Sequence, residues 1–161
     1  MTLEEYNFSV KSHADGLYRF MLKFADQETA KDIVQDCFEK LWLKRETVEG
    51  NKAKSYLFTA AYNTMIDKKR KDKRMDFVET IPSHSISSNL GNPDLQEILH
   101  TALNTLPEIQ KTVVILRDYE GYSYEEVGEI TGLNASQVKV YIFRARVTLK
   151  NHIGSIANVL G

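Results

Sequence analysis

Residues 123–150 read SYEEVGEITGLNASQVKVYIFRARVTLK, and the stretch spells out two helices joined by a tight turn. Ser123 followed three residues later by Glu126 is the pair in which a hydroxyl and a carboxylate satisfy each other's backbone N–H at a helix start. Val127 and Ile130 follow at core spacing, with Gly128 between them, small enough for another helix to approach closely. Thr131-Gly132-Leu133 interrupts the helix, and Asn134 with Gln137 three residues on marks the next start. Beyond it Val138, Ile142, Ala145 and Leu149 stand at i, i+4, i+7 and i+11, one buried face at 100° per residue. Ser136, Gln137, Lys139, Arg144, Arg146 and Lys150 occupy the other faces. A short helix, a glycine turn and a longer basic amphipathic helix form a helix-turn-helix pattern, which points to duplex DNA. An ordinary helical hairpin with a solvated basic face is the competing reading of the same residues.

The chain around this stretch has 161 residues and a hydrophobic fraction of 42%, enough to bury the core of one medium domain or two small ones. The formal net charge is −1, but the charge is unevenly spread: residues 1–75 hold 15 Lys/Arg against 12 Asp/Glu. Local basic clusters matter more for phosphate binding than the total does. A single cysteine, Cys37, excludes an intramolecular disulfide. The N-terminal MTLEEYNFSVK has acids where a secretory signal needs bases, and no apolar run approaches the roughly 20 residues of a membrane span. These features predict a cytoplasmic protein with no membrane insertion.

Upstream of the hairpin, Leu17 to Phe24 is an apolar helical segment whose aromatics read as core. Asp26 is a cap for a helix over about Gln27 to Lys44, with Ala30, Val34, Cys37, Phe38 and Leu41 on one face. The opposite face carries Asp32, Gln35, Asp36 and Glu39, either a solvated surface or a docking face for a basic partner. Thr47–Lys52 reads as a loop. A further helix begins near Ala53, with Leu57, Ala60, Ala61 and Thr64 as its core stripe and Asn63 on a second stripe. Tyr56, Phe58 and Tyr62 supply rings. The helix ends in Lys68, Lys69, Arg70, Lys71, Lys73 and Arg74, more cations than a helix C-terminus calls for. Rings and an amide leading into a cationic cluster suit single-stranded DNA, with bases stacked and phosphates neutralised.

Residues 76–93 are rich in Ser, Asn, Pro and Gly without a clear period, which predicts a flexible linker between two helical domains, 1–75 and 94–161. Helix resumes at Asp94, with Leu95, Ile98, Leu99, Ala102, Leu103 and Leu106 at helical spacing, and again over Glu108 to Tyr119, closed by Gly121. The fold class expected is all-α. No catalytic signature is present: His13, His84, His100 and His152 are scattered, and no glycine-rich phosphate loop or nucleophile elbow occurs. Neither an enzyme nor a bound cofactor or metal is expected.

Taken in order, these segments resemble an RNA polymerase sigma factor of the extracytoplasmic function type, over almost the whole chain. Residues 30–38, AKDIVQDCF, are similar to the family's AxDLxQExF helix in region 2; YLFTAAYN at 56–63, with Asp67 and Arg70, resembles WLxxIAxNxxxDxxR. Ala102 to Pro107 and Tyr119 to Ser123 resemble the ALxxLP and EGxS parts of region 4, and Gln137-Val138-Lys139 with Arg144-Ala145-Arg146 resembles TVKxRxxRAR. The resemblance implies a region 2 helical bundle and a region 4 helix-turn-helix. Asp32, Gln35, Asp36 and Glu39 would dock on the clamp helices of core RNA polymerase. The Thr47–Lys52 loop and Asn63 would capture unstacked bases of the minus-ten element, and Lys68 to Arg74 its phosphates. Ser136, Gln137, Lys139 and Val140 would read the minus-thirty-five duplex, with Arg144 and Arg146 on phosphates. An anti-sigma factor is implied as a further partner. Tyr56, Gly128, Gln137 and Tyr141 depart from the family's usual Trp, Ala, Thr and Arg. A stand-alone helix-turn-helix regulator is the alternative, but it leaves the acidic face and the 68–74 cluster unexplained.

Overall fold

The computed structural model describes residues 1–75 and 95–160, and side chains within that range except those of 73–75 and 155–160. The expected linker at 76–93 lies outside the described residues. The chain divides into two compact units, one in each half, and among the described residues every regular element is helical.

The first unit is three helices: α1 (Leu3–Leu22), α2 (Gln27–Leu43) and α3 (Ala53–Met75), each packed on the other two. Thr2 caps α1 by accepting from the Glu5 amide, and Asp26 caps α2 by accepting from the Thr29 amide at 2.8 Å. Leu17, Phe20 and Met21 of α1 meet Ala30, Ile33, Cys37, Phe38 and Leu41 of α2 in the core. Val34, expected on that face, is only half-buried, and Ile33 takes its place. The buried side of α3 is Ala53, Leu57, Phe58, Ala61 and Met65. The expected stripe is therefore corrected by a rotation of the helix, since Ala60 and Thr64 are half-buried while Phe58 and Met65 are enclosed. Packing between two neighbours demands a wide buried face, and two small alanines gave no hint of its centre.

In the second unit α7 (Ala135–Leu160) packs against α4 (Leu95–Asn104), α5 (Glu108–Val114) and α6 (Tyr124–Thr131). Ala102, Leu103, Leu106, Val113, Val114, Ile115, Leu116, Tyr122, Val127, Ile130, Val138, Ile142 and Ala145 form the core. The helix expected over 108–119 widens into a π-helical turn over Ile115–Tyr119, where the Glu120 amide donates to the Ile115 carbonyl at 3.0 Å. Gly121 then turns the chain at φ 76°. Lys111 is buried because its stem packs inward while Nζ donates to Asn104 Oδ1 at 2.9 Å. At its C-terminal end α7 runs on to Leu160.

Candidate nucleic-acid interface

Local hydrogen bonding fixes how α6 hands over to α7. Ser123 Oγ accepts from the Glu126 amide at 3.1 Å and Glu126 Oε1 accepts from the Ser123 amide at 3.0 Å, so both partners of the expected capping box are in place. Gly132 ends α6 in the left-handed region at φ 81°, its amide donating to the Gly128 carbonyl at 2.8 Å. A Cβ on Gly128 would stand 2.7 Å from the Leu133 carbonyl oxygen. The close approach expected there is made chiefly by the backbone of the turn. At the head of α7, Asn134 Oδ1 accepts from the Gln137 amide at 2.8 Å and Gln137 Oε1 accepts from the Asn134 amide at 3.0 Å. The Gln137 side-chain oxygen is thereby committed to the cap, which leaves its NH2 group for a ligand.

Val138, Ile142 and Ala145 are buried, so Ser136, Lys139, Val140, Phe143, Arg144 and Val147 face outward. Arg146 also reaches the surface, but Asp118 of the π-turn holds it in a bidentate pair: Nε to Oδ2 at 3.0 Å and Nη2 to Oδ1 at 2.6 Å. Hydrogen bonding to Asp118 raises its guanidinium pKa above the ordinary arginine value. Beside this pair the Tyr124 ring has the Arg117 guanidinium 4.8 Å and the Lys139 ammonium 5.9 Å from its centroid. Arg117 is itself anchored, donating from Nη1 to the Tyr122 carbonyl at 2.9 Å. Asp118, Tyr124 and Arg117 were not among the residues singled out from sequence. Asp118 and Arg146 are 28 residues apart, a separation at which no helical spacing rule applies.

In the first unit Asn63, Asp67 and Arg70 are exposed at i, i+4 and i+7 along α3, followed by exposed Lys71. Lys68 and Lys69 are half-buried, with Lys69 Nζ 5.5 Å from the Phe24 ring centroid. The side chains of Lys73 and Arg74 lie outside the described residues. Phe58 is 1% exposed and packs on Phe20 at a centroid distance of 5.1 Å; it belongs to the core and offers no face for a base. Tyr56 and Tyr62 are half-buried. The segment expected to be a plain loop at 47–52 is organised: Thr47 and Val48 amides donate to the Lys44 carbonyl, and Gly50–Lys52 forms a 3₁₀ turn leading into α3. A shallow depression beside it is lined by Glu4, Glu5, Phe8, Ser9, Gly50 and Asn51.

Asp32, Gln35, Asp36 and Glu39 are all exposed on α2, opposite its buried face. Cys37 lies on that buried face, where desolvation pushes its thiol up to about 12; it is protonated packing at neutral pH. Among the described residues no cluster of three His, Cys, Asp or Glu side chains could hold a metal ion. Among them, too, no helix is long and apolar enough to cross a membrane.

Residues 10–75 match the family described as Sigma-70 region 2, and residues 96–149 match Sigma-70, region 4. The RNA polymerase sigma factor SigV of Bacillus subtilis is 33% identical over 138 residues, 84% of this chain and 83% of its own length. The ECF RNA polymerase sigma factor SigM of the same organism is 26% identical over 156 residues, covering 93% and 94%. Among solved structures, the sigma factor RpoE of Bartonella quintana, crystallised with the anti-sigma factor NepR, aligns with a TM-score of 0.80 at 27% identity, over 94% of this chain and 98% of that one.

Proposed function

The chain belongs to the sigma-70 family, in its extracytoplasmic function class, and from that premise we propose that it works in the cytoplasm as a promoter-specificity subunit of RNA polymerase with no catalysis of its own. Residues 1–75 act as the polymerase-docking and minus-ten domain, 94–161 as the minus-thirty-five domain, and 76–93 as the linker between them. The face made by Asp32, Gln35, Asp36 and Glu39 docks on the clamp helices of the large subunit, where basic partners complement its charge. The 47–52 segment and Asn63 hold unstacked bases of the minus-ten element, and Lys68, Lys69, Arg70, Lys71, Lys73 and Arg74 neutralise that strand's phosphates. Trapping bases out of the stack lowers the free energy of the opened duplex.

The second helix of the hairpin, α7, enters the major groove of the minus-thirty-five element. Ser136, Gln137, Lys139 and Val140 lie in its N-terminal part, the end that reads base edges in this motif. Arg144 and Arg146 position the helix through phosphates. Each contact is weak alone; joining them through one linker raises the effective concentration of the second once the first has formed. An anti-sigma factor is a further partner, a reading supported by the relative crystallised with NepR.

The observation that carries this reading is the pairing, in one chain, of an exposed acidic face on α2 with an exposed basic helix, α7, whose start is capped reciprocally by Asn134 and Gln137. A stand-alone regulator uses only the second. In vitro transcription with core polymerase on a promoter library tests it directly. Initiation that depends on the added protein is the expected result. Duplex binding without initiation would transfer the chain to the class of stand-alone regulators.

A further inference from the structure

The outward side of α7 carries three apolar side chains in water: Val140 is 43% exposed, Phe143 68% and Val147 42%. At i, i+3 and i+7 they share one face, opposite the buried Val138, Ile142 and Ala145. Their exposure means that the core of the unit does not enclose them. Cations rim the stripe, with Lys139 and Lys150 along one edge and Arg144 along the other, all exposed.

An apolar centre with a cationic rim complements a surface whose floor carries methyl groups and whose walls carry phosphates. The major groove at A·T pairs is such a surface, because the thymine C5-methyl is the apolar group on its floor. A rise of about 1.5 Å per residue sets Val140 and Phe143 about 4.5 Å apart along the helix, close to the roughly 3.4 Å between successive base pairs. Val147 is about 10.5 Å beyond Val140, too far along to share the same pair of steps.

We propose that Val140 and Phe143 read the C5-methyl groups of thymines on adjacent base pairs, so that this chain's upstream promoter element is specified in part by methyl contacts. Ser136 and Lys139 supply the polar side of the same reading. The inference rests on α7 entering the major groove, as proposed above, and names the bases that it selects.

The test uses holoenzyme assembled from core polymerase and the full chain, with a promoter fragment selected for initiation. Each thymine of the upstream element is replaced singly by deoxyuridine, which removes the methyl and nothing else. Substitution at two adjacent pairs is expected to weaken binding about 4-fold each, the equivalent of one buried methyl group. Val140→Ala is expected to abolish the thymine–uracil difference at one of these pairs and Phe143→Ala at the other. Both side chains are exposed, so each variant can be confirmed as folded by its melting curve. If deoxyuridine is tolerated at every position while the upstream element is still required, the methyl reading is overturned and the stripe is left to an acidic, apolar protein partner. If binding shows no dependence on an upstream element, α7 does not enter the groove and both readings fall together.

Discussion

Asp118→Asn separates what the Arg146–Asp118 pair does for the fold from what it does for DNA. The pair is bidentate, at 3.0 and 2.6 Å, yet the two side chains are 48% and 35% exposed. Solvent screening at that exposure limits the stabilisation to about 0.5–1 kcal/mol, the upper end for a surface pair, reached here because the geometry is forked. Losing it lowers the melting temperature of a unit this small by no more than about 8 °C. On DNA the sign reverses. A phosphate approaching Arg146 meets a neutralised pair and must displace the carboxylate. Removing that competitor returns about 0.5–1 kcal/mol, or roughly 2- to 5-fold in affinity. It also removes a negative charge from beside the phosphates, which steepens the dependence of log K on log salt by up to about 0.9. The assay is duplex binding by holoenzyme across a salt series, beside thermal unfolding of the free protein. Asp118→Asn should melt lower and bind tighter, with the steeper slope. Arg146→Ala should also melt lower but bind no tighter than wild type. Weaker binding by Asp118→Asn at unchanged slope would refute the competition argument, and would mean that the carboxylate aims Arg146 at its phosphate.

Phe58→Ala should destabilise the first unit by about 3–5 kcal/mol, as expected for a buried aromatic against Phe20; unchanged denaturant unfolding would return the ring to the surface and to base stacking. Asp36→Arg replaces an exposed side chain, so it should leave stability within about 0.5 kcal/mol while abolishing co-purification with core polymerase; retained association would remove α2 from the docking face. The Cys37 thiol is raised from 9.0 to about 12 in the folded chain. Its neutral form is therefore favoured by folding, and the stability linked to it is complete below pH 9 and lost between pH 9 and 12. Wild type measured against Cys37→Ala should show that extra decline with rising pH, and a pH-independent difference between the two would contradict the burial of the thiol.

The parts of the fold that were legible in the sequence are those governed by short-range rules. Ser123 with Glu126, Asn134 with Gln137 and Gly132 between them each make a bond within four residues, so sequence spacing and spatial contact coincide. The α2 caps and most of its buried face follow for the same reason. The errors fall where tertiary contact decides. Nothing in the order Leu57-Phe58-Thr59-Ala60-Ala61 says which way α3 turns, since apolar residues stand on both candidate stripes and the choice is made by packing against both α1 and α2. Nor does Val113 to Leu116 announce a π-turn: that requires the Glu120 amide to find Ile115, a register that the apolar pattern does not encode.

The candidate site divides along the same line. Exposed residues of α7 and α3 could be picked out by elimination, as those the helical core pattern does not use. Their internal partners could not. Counting cations from sequence overstates how many are available to phosphates, because Arg146 is held by Asp118, Lys139 lies beside the Tyr124 ring and Lys69 beside Phe24. A basic face thus has two levels: side chains such as Arg144 that stand exposed on α7, and side chains that must leave a partner in the protein before they could meet a phosphate. The second kind ties the charge that α7 presents to elements outside it, because loosening the π-turn at Asp118 would release Arg146 without changing one residue of the helix.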